Sequence, residues 1–160
     1  MASQIFVPWA TMNTNQAFRA ISQAARKEFE GNFRLEWRIG GSMFAGIAAA
    51  DAVRKSVVPV WTYIEGGAAS AGTFISIMGK RRFIDENAMM LIHQLSAEIS
   101  GNHEEIKEDV QNAEMQMEII RRLYVNRTKM KEKKVEQCLK RDIWFNAKTA
   151  KTLGLVDEII

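Results

Sequence analysis

Between Phe33 and Met78 the chain twice writes the same local pattern: a run of β-forming residues, a pair of glycines, then a helix of small residues. In the first round Phe33, Leu35, Trp37 and Ile39 alternate with Arg34, Glu36 and Arg38, a strand with one apolar and one charged face. Gly40-Gly41 breaks it, and Ser42 can cap a helix that runs to about Lys55. In the second round Val57 to Ile64 is β-rich and largely apolar, as a buried parallel strand is, although Pro59 cannot donate to a ladder. Gly66-Gly67 then turns the chain into a helix from about Ser70 to Met78, closed by Gly79. This alternation predicts an α/β domain with parallel strands and crossover helices.

The flanking segments extend the pattern. Gln4 to Trp9 reads as a short strand. A helix capped by Asn13 or Thr14 follows, with Phe18, Ile21, Ala25 and Phe29 at helical spacing and Gly31 at its end. Asp85-Glu86-Asn87 predicts a hairpin-like turn, with Ala88 to His93 as the returning strand. Residues 103–126 form the longest helical signal. Ile106, Val110, Ala113, Met117, Ile120 and Tyr124 make a seam, while Met115 and Ile119 widen the stripe, so both a core helix and an inter-subunit helix fit. A short helix begun by Asn146 and stopped by Gly154 leads into a final strand, Leu155 to Ile159.

Composition sets the outer bounds. A chain of 160 residues fits one domain with a real core. Its net charge of +3 is mild, and the densest run, Lys129 to Lys134, holds an acid and no aromatic. That run reads as a solvated helix face, so no nucleic-acid partner is expected. One cysteine cannot form an internal disulfide, no signal peptide is visible, and no stretch approaches the roughly 18 apolar residues of a membrane span. These features predict a cytoplasmic protein with no membrane association. Neither a metal-ligand cluster, a phosphate loop nor a dinucleotide fingerprint is present, so no metal or cofactor is expected.

Three residues carry candidate chemistry. Ser70 lies in Gly66-Gly67-Ala68-Ala69-Ser70-Ala71-Gly72, where small neighbours let a strand turn sharply into a helix and leave the hydroxyl exposed. The same run also fits a tightly packed turn with no chemistry. His93 ends the apolar strand Met89-Met90-Leu91-Ile92, a place where a lone histidine is more often structural than catalytic. Asp142 precedes Ile143-Trp144-Phe145 and fits an orienting acid, a helix-end cap or a partner of Arg141. His103 opens a charged helix, and Cys138 shares an apolar helix face with Val135 and Leu139 as a small hydrophobe.

Taken in order, five motifs add up to a family resemblance. Gly40-Gly41-Ser42, Gly67-Ala68-Ala69-Ser70-Ala71-Gly72, Leu91-Ile92-His93-Gln94, Arg141-Asp142-Ile143-Trp144-Phe145-Asn146-Ala147 and Gly154-Leu155-Val156-Asp157 resemble the Clp protease proteolytic subunit over about residues 33–160. By that resemblance Ser70 is the nucleophile, His93 its general base and Asp142 the residue that orients the histidine, spaced 23 and 49 residues apart. The backbone N–H groups of Gly41 and Ala71 would form the oxyanion hole, with Gly40 and Gly67 at the substrate edge and turn.

The resemblance implies a serine endopeptidase acting through an acyl-enzyme on peptides or unfolded proteins. Its fold would be a ClpP/crotonase-like ββα superhelix head, residues 1–94 and 127–160, with a protruding helical handle at about 95–126. Leu95 to Gly101 would be a handle strand that can pair with bound peptide. The subunits would form homo-oligomeric rings of seven stacked in pairs, a tetradecamer, served by an AAA+ unfoldase.

The sequence also departs from the family. Arg38-Ile39 stands where Ser-Pro is usual, Leu95 replaces a proline after His-Gln, and only about four residues precede the first strand. That leaves little material for the axial loops that help dock an unfoldase. A catalytically silent ring subunit is the alternative, although the triad residues are all present. A crotonase-fold acyl-CoA enzyme would share the paired oxyanion donors without needing that triad.

Overall fold

The computed structural model describes the backbone of Ile5–Val7 and Phe33–Leu35 and, in full, residues 42–57 and 59–160. The predicted helix after Asn13 and the motif residues Arg38, Ile39, Gly40 and Gly41 lie outside the described residues.

Strand β1 (Ile5–Val7) pairs in parallel with β2 (Phe33–Leu35). Helix α1 (Met43–Lys55) begins one residue after Ser42, which sits at the cap position without a side-chain capping bond. Two tight units follow. Strands β3 (Trp61–Ile64) and β4 (Gly67–Ala69) lead into α2 (Ala71–Ser76), and β5 (Arg81–Ile84) and β6 (Met89–Leu91) lead to α3 (His103–Arg127). The chain closes with α4 (Glu132–Leu139), β7 (Trp144–Asn146), α5 (Ala147–Leu153) and β8 (Glu158–Ile159).

Within each unit the two consecutive strands go to different sheets. One sheet runs β3-β5-β8, all parallel, and the other runs β4-β6-β7. In the second sheet β4 and β6 are parallel, and β7 is antiparallel to β6. This corrects the expected hairpin at Asp85-Glu86-Asn87. That turn does not reverse the chain; it steps the strand from one sheet to the other. Asp85 N–H still donates to Ile64 O at 3.0 Å in the first sheet, and Met89 N–H already donates to Gly66 O at 3.0 Å in the second. Parallel partners come from separate units, which is why local turn chemistry could not reveal them.

Other boundaries shorten for related reasons. The strand ahead of Ile64 begins only at Trp61, beyond Pro59, and the closing strand is confined to Glu158–Ile159. Helix α2 stops at Ser76, ahead of the expected Met78. The expected handle strand at Leu95–Gly101 is not formed: residues 95–100 have no regular secondary structure, Gly101 is a bend, and no described segment pairs with them.

The core lies between the sheets and the helices that cover them. Ile64, Ile75, Ile77, Ile84, Met90, Ile92, Val135, Leu139 and Leu155 are fully buried in it. Helix α1 packs directly on α2 because Gly46 has no side chain. A Cβ there would come within 2.8 Å of Ala71 Cβ, closer than real contacts allow.

The predicted seam on α3 is buried along only half its length. Ile120 and Tyr124 are at most 2% exposed, whereas Ile106 and Val110 remain 40% and 44% exposed. Among the described residues no helix is long and apolar enough to cross a membrane.

Candidate active site

Ser70 occupies the junction of β4 and α2 with φ 54° and ψ −131°. It is the one non-glycine residue with positive φ among those described, in a region that a β-carbon makes costly. Both of its peptide groups are held. Its N–H donates to Leu91 O at 2.9 Å, and its carbonyl accepts from Thr73 N–H at 2.9 Å and Thr73 Oγ1 at 2.7 Å. The turn thereby keeps Ser70 half-exposed while Ala71 and Gly72 on its far side are buried. Gly66, with φ 74°, takes the left-handed position ahead of β4. Gly67 starts the strand beneath Trp144, whose ring would be in ordinary contact with a Cβ there at 3.5 Å.

Sheet register brings the other candidates to the same edge. In the parallel pair Ala69 faces Leu91, so Ser70 leaves β4 where His93 leaves β6 two residues later. In the antiparallel pair Leu91 faces Trp144 at the end of the ladder, so the chain that leaves β6 toward His93 and the chain that enters β7 from Asp142 meet the sheet at the same edge. Three segments distant in sequence thus end side by side.

Ser70 and His93 line one cavity of about 560 Å³, walled by Met43, Phe74, Leu91, Leu95, Ile120 and Trp144. Asp142 lies outside that lining and is exposed. Among the described residues no hydrogen bond joins Ser70 to His93 or His93 to Asp142. Ala71 opens α2, so its N–H has no intrahelical acceptor and is free to serve a ligand beside Ser70. Gly40 and Gly41 are outside the described residues.

Cys138 is the small buried hydrophobe that its helix face predicts. Cys138 is 6% exposed, and burial pushes its thiol above the ordinary range despite the opposing charge of Lys134. His103 is solvated at the start of α3, paired with Glu104 at 3.0 Å. No group of His, Cys, Asp and Glu among the described residues is arranged to hold a metal ion.

Two contributors carried no local sign of their place here. Trp144 reads in the sequence as part of an apolar cluster, yet it walls the cavity because β7 pairs with β6. Thr73 lies inside the small-residue helix with Ser70 and Ser76 three residues to either side, so its hydroxyl does not stand out in the sequence.

The fold and site define a mixed α/β protein with a serine held on a strained strand-to-helix turn and a histidine in the same cleft. A model of the Clp protease family matches residues 38–160, and the chain belongs to that family. It is 36% identical over 123 residues to ATP-dependent Clp protease proteolytic subunit 1 of Streptomyces avermitilis, covering 76% of this chain and 57% of that protein. It is 32% identical to subunit 3 of Streptomyces coelicolor, with the same coverage. Identity to subunit 1 of Chlamydia caviae is 30% over 125 residues, covering 76% of this chain and 65% of the relative. The chain therefore matches little more than half the length of the Streptomyces relatives.

Proposed function

We propose that the chain is a serine endopeptidase subunit in which Ser70 attacks the scissile carbonyl, His93 removes its proton and Asp142 orients the histidine. The observation that carries this reading is the held, positive-φ Ser70 opening onto a cavity that it shares with His93. A serine hydroxyl is a weak nucleophile at neutral pH, so a base must take its proton as the bond forms. Imidazole suits that task because its ordinary pKa is near 6.5. His93 then returns the proton to the leaving amine, and water activated by the same base releases the acyl group from Ser70. The backbone N–H groups of Ala71 and Gly41 would stabilise the oxyanion, each such donor being worth on the order of 10²–10³ in rate.

The assembly belongs to the same proposal. The ββα head would span residues 1–94 and 127–160, and the handle about 95–126. Support comes from the two strand-strand-helix units and from the uncovered first half of α3, where Ile106, Val110 and Met115 are exposed. These subunits would form rings of seven stacked in pairs and enclose the Ser70 cavities. The relatives' names, ATP-dependent Clp protease proteolytic subunit, support an ATPase unfoldase as partner.

A fluorophosphonate probe tests the chemistry. It is expected to label the wild-type chain at Ser70 and to leave Ser70→Ala unlabelled, with a fluorogenic peptide cleaved only by the wild type. Sedimentation velocity on the same preparation is expected to show a large ring. Assembly without labelling would overturn the peptidase and leave the silent ring subunit; labelling elsewhere would overturn the assignment of Ser70.

A further inference from the structure

Helix α3 drives one large side chain into the centre of the molecule. Tyr124 is fully buried, its ring meets Phe74 edge-on at 5.9 Å, and its hydroxyl lies 2.5 Å from Thr73 Oγ1. Thr73 is fully buried as well. The direction of each proton follows from the acceptor at the end of the chain. A carbonyl oxygen can only accept, so Thr73 Oγ1 must donate its single proton to Ser70 O across 2.7 Å. The bond between the two hydroxyls is then donated by Tyr124. A directed chain, Tyr124 to Thr73 to the Ser70 carbonyl, therefore runs from α3 to the turn.

This chain acts where the turn is most costly. Ser70 sits at φ 54°, a conformation that persists only when its surroundings impose it. Leu91 O holds one side of the residue, and Thr73 holds the other with both its N–H and its hydroxyl. Polarisation by a buried donor strengthens the hydroxyl's grip on the carbonyl. Burial pushes the Tyr124 phenol well above its usual range, against the opposing bond to Thr73, so it remains a neutral donor at working pH.

We propose that Tyr124, acting through Thr73, is a positioning residue for Ser70, fixing the carbonyl of the turn so that the serine oxygen and the Ala71 N–H face the same cleft. The inference rests on the reading of Ser70 as nucleophile and adds the device that aims it. Neither residue touches the cavity chemistry itself. Tyr124→Phe removes only the hydroxyl and keeps the ring against Phe74, and Thr73→Ser keeps the donor that Thr73→Val removes.

The test measures kcat and KM on a fluorogenic peptide and the rate of Ser70 phosphonylation, using the full chain. Tyr124→Phe is expected to lower kcat and the phosphonylation rate about tenfold with KM unchanged, the scale of one lost hydrogen bond. Thr73→Val is expected to lose at least as much, and Thr73→Ser to recover to within about twofold of wild type. Because both residues act along one chain, the double variant Tyr124→Phe/Thr73→Val should be no slower than Thr73→Val alone. Wild-type rates in Tyr124→Phe, or failure of Thr73→Ser to rescue, would overturn the proposal. A Tyr124→Phe chain that does not fold leaves the decision to the Thr73→Val and Thr73→Ser pair. A wild type that is never phosphonylated at Ser70 overturns the nucleophile reading instead, and the positioning role falls with it.

Discussion

Ser70 carries a backbone conformation that its β-carbon resists and its neighbours impose. Positions of this kind cost on the order of 1–3 kcal/mol, a cost that glycine largely avoids. Comparing Ser70→Gly with Ser70→Ala isolates that cost, since both variants lack the hydroxyl. Ser70→Gly is expected to melt a few degrees above Ser70→Ala, at roughly 2–4 °C per kcal/mol for a chain of this size. Thermal unfolding reads the difference, and an alanine variant that is equally stable would show an unstrained turn. The tendency to turn at Ser70 is legible in the sequence, because Gly66, Gly67, Ala68, Ala69, Ala71 and Gly72 surround it. The bonds that hold the turn are not. Tyr124 lies 51 residues from Thr73, and nothing at either position names the other.

At the scale of elements, α3 shows how local signals and packing divide the labour. Its start is written locally. Asn102 accepts from Glu104 N–H and Glu105 N–H, and Glu105 Oε2 accepts from Asn102 N–H at 2.8 Å, a complete capping box. No residue from 103 to 112 is buried, so the cap and the Lys107–Glu104 pair at 3.0 Å support these turns without a core. Asn102→Ala is expected to destabilise them by about 1 kcal/mol. Amide exchange over residues 103–110 should then accelerate about fivefold while the melting temperature hardly moves. A large drop in global melting temperature would mean that the exposed half of α3 is coupled to the core. Spacing alone drew one continuous seam from Ile106 to Tyr124. Which half of it is buried depends on where the sheets end, and that has no signature in the helix.

For the whole molecule, one guanidinium ties together segments that share no local sequence. Arg82 on β5 donates from Nε and Nη2 to Asp157 at 3.1 and 2.5 Å, and from Nη1 to Arg127 O and Gly154 O at 2.8 Å each. Arg127 in turn donates to Ile77 O and Met78 O at the end of α2. The hydrogen bonds from Arg82 hold the Asp157 carboxyl below its ordinary value, against the opposing effect of partial burial. A folded-state pKa below the unfolded one gives stability that is fully present above the unfolded value, near pH 3.9, and is lost as pH falls through the folded value. Asp157→Asn is therefore expected to lower stability at neutral pH and to flatten its decline below about pH 4. Denaturant titrations at several acid pH values check this; an unchanged acid slope would mean that the pair contributes nothing.

The sequence by itself determined the alternation of strand, glycine and helix, the caps of α3 and α5, and the small-residue turn that exposes Ser70. Each of these is settled within a few residues by dihedral preference, hydrogen bonding or side-chain size. Only the tertiary structure decided that β5 and β6 part into two sheets, that Ser70 and His93 line one cavity, and that Tyr124 reaches Thr73 behind the turn. Those outcomes depend on pairing and burial between segments tens of residues apart, where the energy lies in surfaces that meet only once the whole chain is packed.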